Sequence, residues 1–130
     1  MVREIFDNYI LAVLEKSPEM LSELFSDDAI LSMPFRKERP VISGKAAIFQ
    51  YYSDGFCQAP LLFSSIENVQ FHQTTQLNRA VTEYRLNGKS LIDGKAFYCL
   101  YINVITVEEG KITALVDYED VLNREMIFSV

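Results

Sequence analysis

Between Ala96 and Val107 the chain is apolar at both parities: Phe97, Cys99, Tyr101, Ile105 and Val107 on one, Tyr98, Leu100, Ile102 and Val104 on the other. Successive side chains of a strand point to opposite faces, so this segment reads as a strand with no side suited to water. It needs two covers. Amphipathic helices ahead of it can supply one. The other face is expected to meet a second copy of the chain, giving a homodimer, or else to curl on itself or receive the C-terminal tail.

Those helices are legible from spacing. Ile5, Phe6, Tyr9, Ile10, Val13 and Leu14 recur at helical intervals, which predicts a first helix over 2–16. Ser17-Pro18 ends it and starts a short second helix, since serine caps well and proline fits the first helical position. Ala29 to Met33 has strand character and stops at Pro34; Phe35 to Ile42 reads as a polar loop. Ser43-Gly44 opens a third helix to about Phe56. Beyond Pro60 the pattern changes to strands: Leu61 to Gln73, Arg79 to Asn87 with a hairpin at Asn87-Gly88, Ala96 to Val107, and Lys111 to Asp120 after a turn at Glu109-Gly110. Helices first and consecutive antiparallel strands after them make an α+β arrangement with the helices on one face of the sheet.

A length of 130 residues suits one domain, 1–130. The net charge of -6 argues against nucleic acid or an anionic membrane as partner, because phosphate binding needs clustered Lys and Arg. The one basic cluster, Arg36-Lys37-Glu38-Arg39, reads as a solvated loop. Cys57 and Cys99 have no metal-ligand spacing; they are expected as two buried thiols in a reducing cytosol rather than a disulfide. The N-terminal residues lack the features of a signal peptide, and no apolar run is long enough to cross a bilayer, so a cytoplasmic location is expected.

Chemistry is suggested by one acid. In Lys111–Asp120, Leu115, Asp117 and Glu119 share one face, and Ile112, Ala114, Val116 and Tyr118 the other. A carboxylate on a strand apolar on both sides must be desolvated, paired or working. A plain two-residue turn sets Asp117 inward among Tyr98, Leu100, Ile102 and Leu115, where burial would raise its pKa toward the range of a general acid or base. A turn one residue longer would bring Cys99, Tyr101 and Asn103 inward with it instead. Pairing with a basic residue or a tyrosine is the structural alternative. Glu119, nearer the strand end, is expected at a rim or in solvent. His72 is expected to point outward, as is Glu83 in a cross-strand ion pair, with Thr82 and Tyr84 inward. A lone histidine makes a metal site improbable, and the isolated glycines build no phosphate loop, so neither metal nor nucleotide cofactor is implied.

Tyr9, Leu24-Phe25-Ser26-Asp27-Asp28-Ala29, Pro34, Gly44-Lys45-Ala46-Ala47-Ile48 and Gly110-Lys111-Ile112 fall in an order that resembles the nuclear-transport-factor-2-like superfamily. Within it the chain is most similar to SnoaL-like polyketide cyclases and ketosteroid isomerase-like proteins, over about Phe6 to Leu122. The resemblance implies a cone: a strongly curved sheet around three helices, with a pocket at the open end for a small apolar or aromatic molecule, and dimers through the outer sheet face. It implies Tyr9 as a hydrogen-bond donor to a developing oxyanion. It sets Met33 where ketosteroid isomerases keep their proton-abstracting aspartate and Ile102 near their protonated one, so that reaction by that mechanism is not expected. Asp117 matches the place of an acid/base glutamate in phenazine-biosynthesis members. Met33, Phe35, Tyr51, Phe56, Tyr84, Tyr98, Ile102, Leu115 and Glu119 are the expected lining. The function implied is a cofactor-independent isomerase, cyclase or dehydratase. The alternative is a ligand-binding or dimerisation domain without catalysis.

Overall fold

A computed structural model describes residues 1–128. Its elements are α1 (Val2–Leu14), α2 (Pro18–Glu23), β1 (Phe25–Ser32), β2 (Val41–Ser43), α3 (Lys45–Gln58), β3 (Leu61–Gln73), β4 (Arg79–Ser90), β5 (Ala96–Glu108), β6 (Lys111–Glu119) and α4 (Val121–Phe128). Helix α1 buries Phe6, Tyr9, Ile10 and Val13, the stripe its spacing predicts. Ser17 caps α2 by accepting from the Met20 amide at 3.1 Å, with Pro18 at the first position.

Six strands form one sheet in the order β2-β1-β6-β5-β4-β3. Strands β3 to β6 pair antiparallel with their neighbours, but β1 runs parallel to β6, so the sheet is mixed rather than antiparallel throughout. Helix α1 packs on β3 and β5 while α3 packs on β1 and β2. One helical layer thus touches both ends of the sheet, which has to curl around it. Bulges on β3 between Phe63 and Ser65 and between Glu67 and Gln70 supply part of the bend. The result is consistent with the cone that the family resemblance implies.

Three expectations are corrected. Val41 and Ile42, read as the end of a loop, and Ser43, read as opening the third helix, pair antiparallel with the end of β1, because Pro40 and the turn before it return the chain along that edge. Strand β4 does not turn at Asn87-Gly88 but continues to Ser90, and the connection lies beyond it. Gly88 is there for proximity: a Cβ at that position would meet the Leu62 carbonyl oxygen at 2.2 Å. The C-terminal residues, given no structure from sequence, form α4 against β5, with Asp120 accepting from the Asn123 amide.

The most consequential correction concerns register. The Glu109-Gly110 turn forms with both residues at positive φ, as a tight hairpin requires. Glu108 faces Lys111 and Val107 faces Ile112, but Thr106 then faces Ala114. Thr113 is an extra residue, a β-bulge. It turns Ile112 into the core together with Leu115, against the expected alternation. From there on Asn103 sits opposite Asp117 and Tyr101 opposite Glu119. The inward residues of β5 are therefore Cys99, Tyr101, Asn103, Ile105 and Val107, while Tyr98, Leu100 and Ile102 are 40%, 51% and 41% exposed on the outer face.

At the narrow end the core is closed by Phe25, Leu31, Ile105, Ile112 and Leu115, all essentially inaccessible. Toward the other end the inward positions become Tyr84, Tyr101, Asp117 and Glu119. Polar and aromatic groups replace aliphatic ones there, and a hollow opens.

Candidate functional site

The hollow is a cavity of about 120 Å³ between the sheet and helices α1 and α3. Tyr9 and Val13 enter from α1, and Tyr51, Tyr52 and Phe56 from α3. Phe63, Tyr84, Leu86, Cys99 and Tyr101 line it from β3 to β5. Asp117 and Glu119 come from β6, Met33 and Arg36 from the end of β1 and the loop after it, and Arg124 from α4.

Asp117 is 9% exposed. Its Oδ1 accepts from Asn103 Nδ2 at 2.9 Å, and the Asn103 side-chain oxygen accepts in turn from the Tyr84 hydroxyl. An ionised carboxylate can only accept, so the acid takes the amide nitrogen, and the amide oxygen is left to accept from the Tyr84 hydroxyl. Burial raises the Asp117 pKa, the nearby Glu119 adds repulsion, and Arg36, Asn103 and Arg124 pull the other way; the balance lies at about 7, against 3.8 for the free side chain. Among the described residues no arginine forms an ion pair with Asp117. Arginines pair with Glu119 instead.

Glu119 is more than a rim acid. Arg36 donates to both of its oxygens, at 2.9 and 3.1 Å, Tyr101 donates at 2.9 Å, and Arg124 approaches at 3.4 Å. Its side chain is 4% exposed. Arg36, expected in a solvated loop, folds back over the cavity and also donates to the Tyr51 hydroxyl. Burial works against the guanidinium charge, but Glu119 outweighs it and holds Arg36 firmly protonated.

On the helix side the Tyr9 and Tyr52 hydroxyls lie 3.4 Å apart. Burial pushes both phenols well up, Tyr9 with the Tyr52 and Asp117 charges adding to it, so both are neutral donors at any working pH. Tyr84 and Tyr101 stack with centroids 5.5 Å apart, and their phenols are raised chiefly by burial too. The site is thus an apolar, aromatic hollow with one acid that can change protonation near neutral pH, opposite a pair of phenolic donors.

Of the expected site residues, the cavity brings together Tyr9, Met33, Tyr51, Phe56, Tyr84, Asp117 and Glu119. Four fall elsewhere. Tyr98 and Ile102 are outside because the bulge reverses their parity, which also removes Ile102 from beside the acid and puts an amide there. Leu115 is wholly buried in the closed end, one pleat too deep. Phe35 is 62% exposed and packs edge-on to Tyr118 at 5.0 Å. Glu83 and His72 both lie on the outer side, as expected, and His72 is the cross-strand partner of Glu83. Cys99 is buried, but Cys57 is exposed rather than buried, and both are free. Among the described residues no cluster of His, Cys, Asp and Glu could hold a metal. Sequence reasoning missed Tyr52, Arg36 and Arg124 as site residues and reached Tyr101 and Asn103 only through the alternative register. Asn103 carried a signal: an amide inside a strand apolar on both faces calls for the same question as Asp117.

The SnoaL-like domain family matches residues 3–115, and the chain belongs to it. The uncharacterised protein YesE of Bacillus subtilis (strain 168) is 28% identical over 117 residues, 88% of this chain and 78% of that protein. A Bacillus subtilis crystal structure named as a suspected isomerase superposes with a TM-score of 0.87 at 28% identity, covering 96% of this chain and 90% of the other. A nuclear-transport-factor-2-like protein from Burkholderia xenovorans LB400 shares the fold, with a TM-score of 0.70 at 18% identity over 95% of this chain and 92% of that one.

Proposed function

We propose that the chain is a cofactor-independent acid/base enzyme, an isomerase, cyclase or dehydratase, acting on a small apolar or aromatic carbonyl compound held in the cavity. In its ionised form Asp117 takes a proton from the carbon next to the substrate carbonyl, leaving an enolate. Tyr9, with Tyr52 beside it, donates to the enolate oxygen. Protonated Asp117 then returns the proton at another carbon, or delivers it to a leaving hydroxyl. Asn103 is a positioning residue: it holds one Asp117 oxygen and leaves the other to the cavity.

One observation carries this reading. An acid buried in an apolar hollow, with its pKa near 7 and no cation paired to it, is able both to accept and to donate a proton near neutral pH. A solvated carboxylate, ionised throughout that range, would be a poor proton donor, and an arginine-locked one a poor base. Deuterium exchange at the α-carbon of a bound ketone, followed by proton NMR, tests it. Exchange should be lost in Asp117→Asn and should follow a titration near pH 7 in the wild type; exchange that survives Asp117→Asn would rule the mechanism out.

The assembly we infer is a homodimer through the outer sheet face. What supports it is the row of half-exposed Tyr98, Leu100 and Ile102 on β5 in the middle of the sheet. A cytoplasmic site of action fits two unpaired thiols; among the described residues no helix is long and apolar enough to cross a membrane.

A further inference from the structure

Adjacent residues of one loop reach opposite faces of the sheet. Between β1 and β2 the chain turns back through residues 34–39, closed by the Met33 amide donating to the Pro40 carbonyl at 3.0 Å. Inside that turn the Arg36 amide donates to the Met33 carbonyl at 3.3 Å and the Arg39 amide to the Arg36 carbonyl at 3.0 Å. Phe35 goes outward: it is 62% exposed and lies edge-on to Tyr118, with centroids 5.0 Å apart. Tyr118 faces out between the inward Asp117 and Glu119, and it pairs across the sheet with Ile102. Phe35 therefore carries the outer apolar row of Tyr98, Leu100 and Ile102 onto the loop.

Arg36, the next residue, goes inward. It donates to both oxygens of Glu119 and to the Tyr51 hydroxyl. Together with Tyr51 and Gly55 it lines both the inner chamber and a more open recess outside it, so its side chain stands across the passage between them. The loop thus clips the end of β6, with an aromatic ring outside and a guanidinium inside. Holding Arg36 on Glu119 costs the freedom of a long side chain and of the loop that carries it. A surface that buries Phe35 removes part of that freedom beforehand, and the closed arrangement then costs less. On β4 the outer row is bordered by Glu83, opposite Ile102, and by Arg85, opposite Leu100 and 4.0 Å over the Tyr98 ring. One charge of each sign beside an apolar row suits a twofold copy of the same surface, in which unlike charges can meet.

We propose that the outer-face contact between two copies of this chain takes in Phe35 and thereby holds Arg36 closed across the cavity mouth, so that dimerisation gates access to the chamber. The claim rests on the reading of the outer face as a homodimer interface. It goes beyond that reading by tying the assembly to the cavity on the other side of the sheet.

Cys99 reports the gate. It lines the chamber and is 1% exposed, whereas Cys57, exposed on α3, serves as the internal reference. The experiment is alkylation of the wild-type protein by iodoacetamide at constant pH, over a dilution series that crosses the monomer–dimer midpoint set by sedimentation. Peptide mass spectrometry reads the two thiols separately. The Cys99 rate relative to Cys57 should rise about tenfold or more from dimer to monomer. Ile102→Glu, and Phe35→Ser, should weaken the dimer and show the fast rate at concentrations where the wild type is protected. Arg36→Gln should show the fast rate while remaining a dimer, which separates the latch from the interface. A wild type that dimerises with a Cys99 rate independent of concentration, or an Arg36→Gln dimer whose Cys99 stays protected, would overturn the gate and leave the homodimer standing. A wild type that never dimerises removes both. Thermal unfolding exposes any variant that has lost its fold, and the wild-type dilution series needs no variant.

Discussion

A buried acid that keeps its proton up to about pH 7, against an ordinary 3.8, ties stability to pH in the sense opposite to a salt-bridged carboxylate. Between those two values the folded chain holds a proton that the unfolded chain has released, so stability falls as pH rises through the window from about 4 to about 7. Above it the ionised, desolvated Asp117 costs up to about 4 kcal/mol, the free-energy equivalent of that gap in pKa. Asp117→Asn should therefore raise the melting temperature at pH 8 while changing it little at pH 4, measured by thermal unfolding across that range. The Asn103 amide favours the charged form of the acid, so Asn103→Leu should move the Asp117 midpoint upward. Carbon-13 NMR of labelled aspartate reports that shift, which a loss of packing alone would not produce. At this scale the sequence was informative where a polar side chain broke an apolar run: it singled out Asp117, and the same reasoning applied to Asn103. Arg36 and Arg124 gave no such sign, because a basic residue in a polar loop or near the C-terminus is usually solvated.

Among the elements, two local features set the site. Gly88 allows β4 to press against the Leu62 carbonyl, and nothing larger fits. Gly88→Val should cost about 1–3 kcal/mol of stability in a denaturant titration, through displacement of β3 from β4. The second feature is Thr113. Its insertion shifts the pairing of β6 by one residue, and a shift of one exchanges the faces of every residue beyond it. Deleting Thr113 removes the extra residue and leaves every pair beyond it as it is, so Asp117 should stay opposite Asn103 and keep its near-neutral titration by carbon-13 NMR in a chain that remains folded by circular dichroism. Helix and strand identities were readable because each follows a period of apolar residues, 3.6 or 2. The bulge was not, since a β-branched threonine in mid-strand looks like any other strand residue. The Asn87-Gly88 pair misled for a related reason: the residues that suit a tight turn also suit a close approach between strands.

The whole molecule presents an acidic net charge, an outer sheet face with an apolar row, and a hollow at the open end of the cone. Burying Tyr98, Leu100 and Ile102 between two copies would explain why β5 is apolar on both sides. Under that assembly the double variant Leu100→Glu/Ile102→Glu should sediment as a monomer while the wild type sediments as a dimer, because two charges per chain would have to be desolvated in the interface. A wild type that is monomeric at micromolar concentration would mean that the outer face stays open to solvent.

From the sequence alone came the α+β class, the number and order of most elements, the family resemblance, and the acid that repays attention. These depend on period and composition, which each segment carries within itself. The tertiary structure decided what surrounds that acid. One inserted residue fixed which face of β5 turns inward, and a loop and a terminal helix distant in the chain brought two arginines to Glu119 and left Asp117 unpaired. Register and long-range pairing are set by contacts between segments, and no local pattern encodes them.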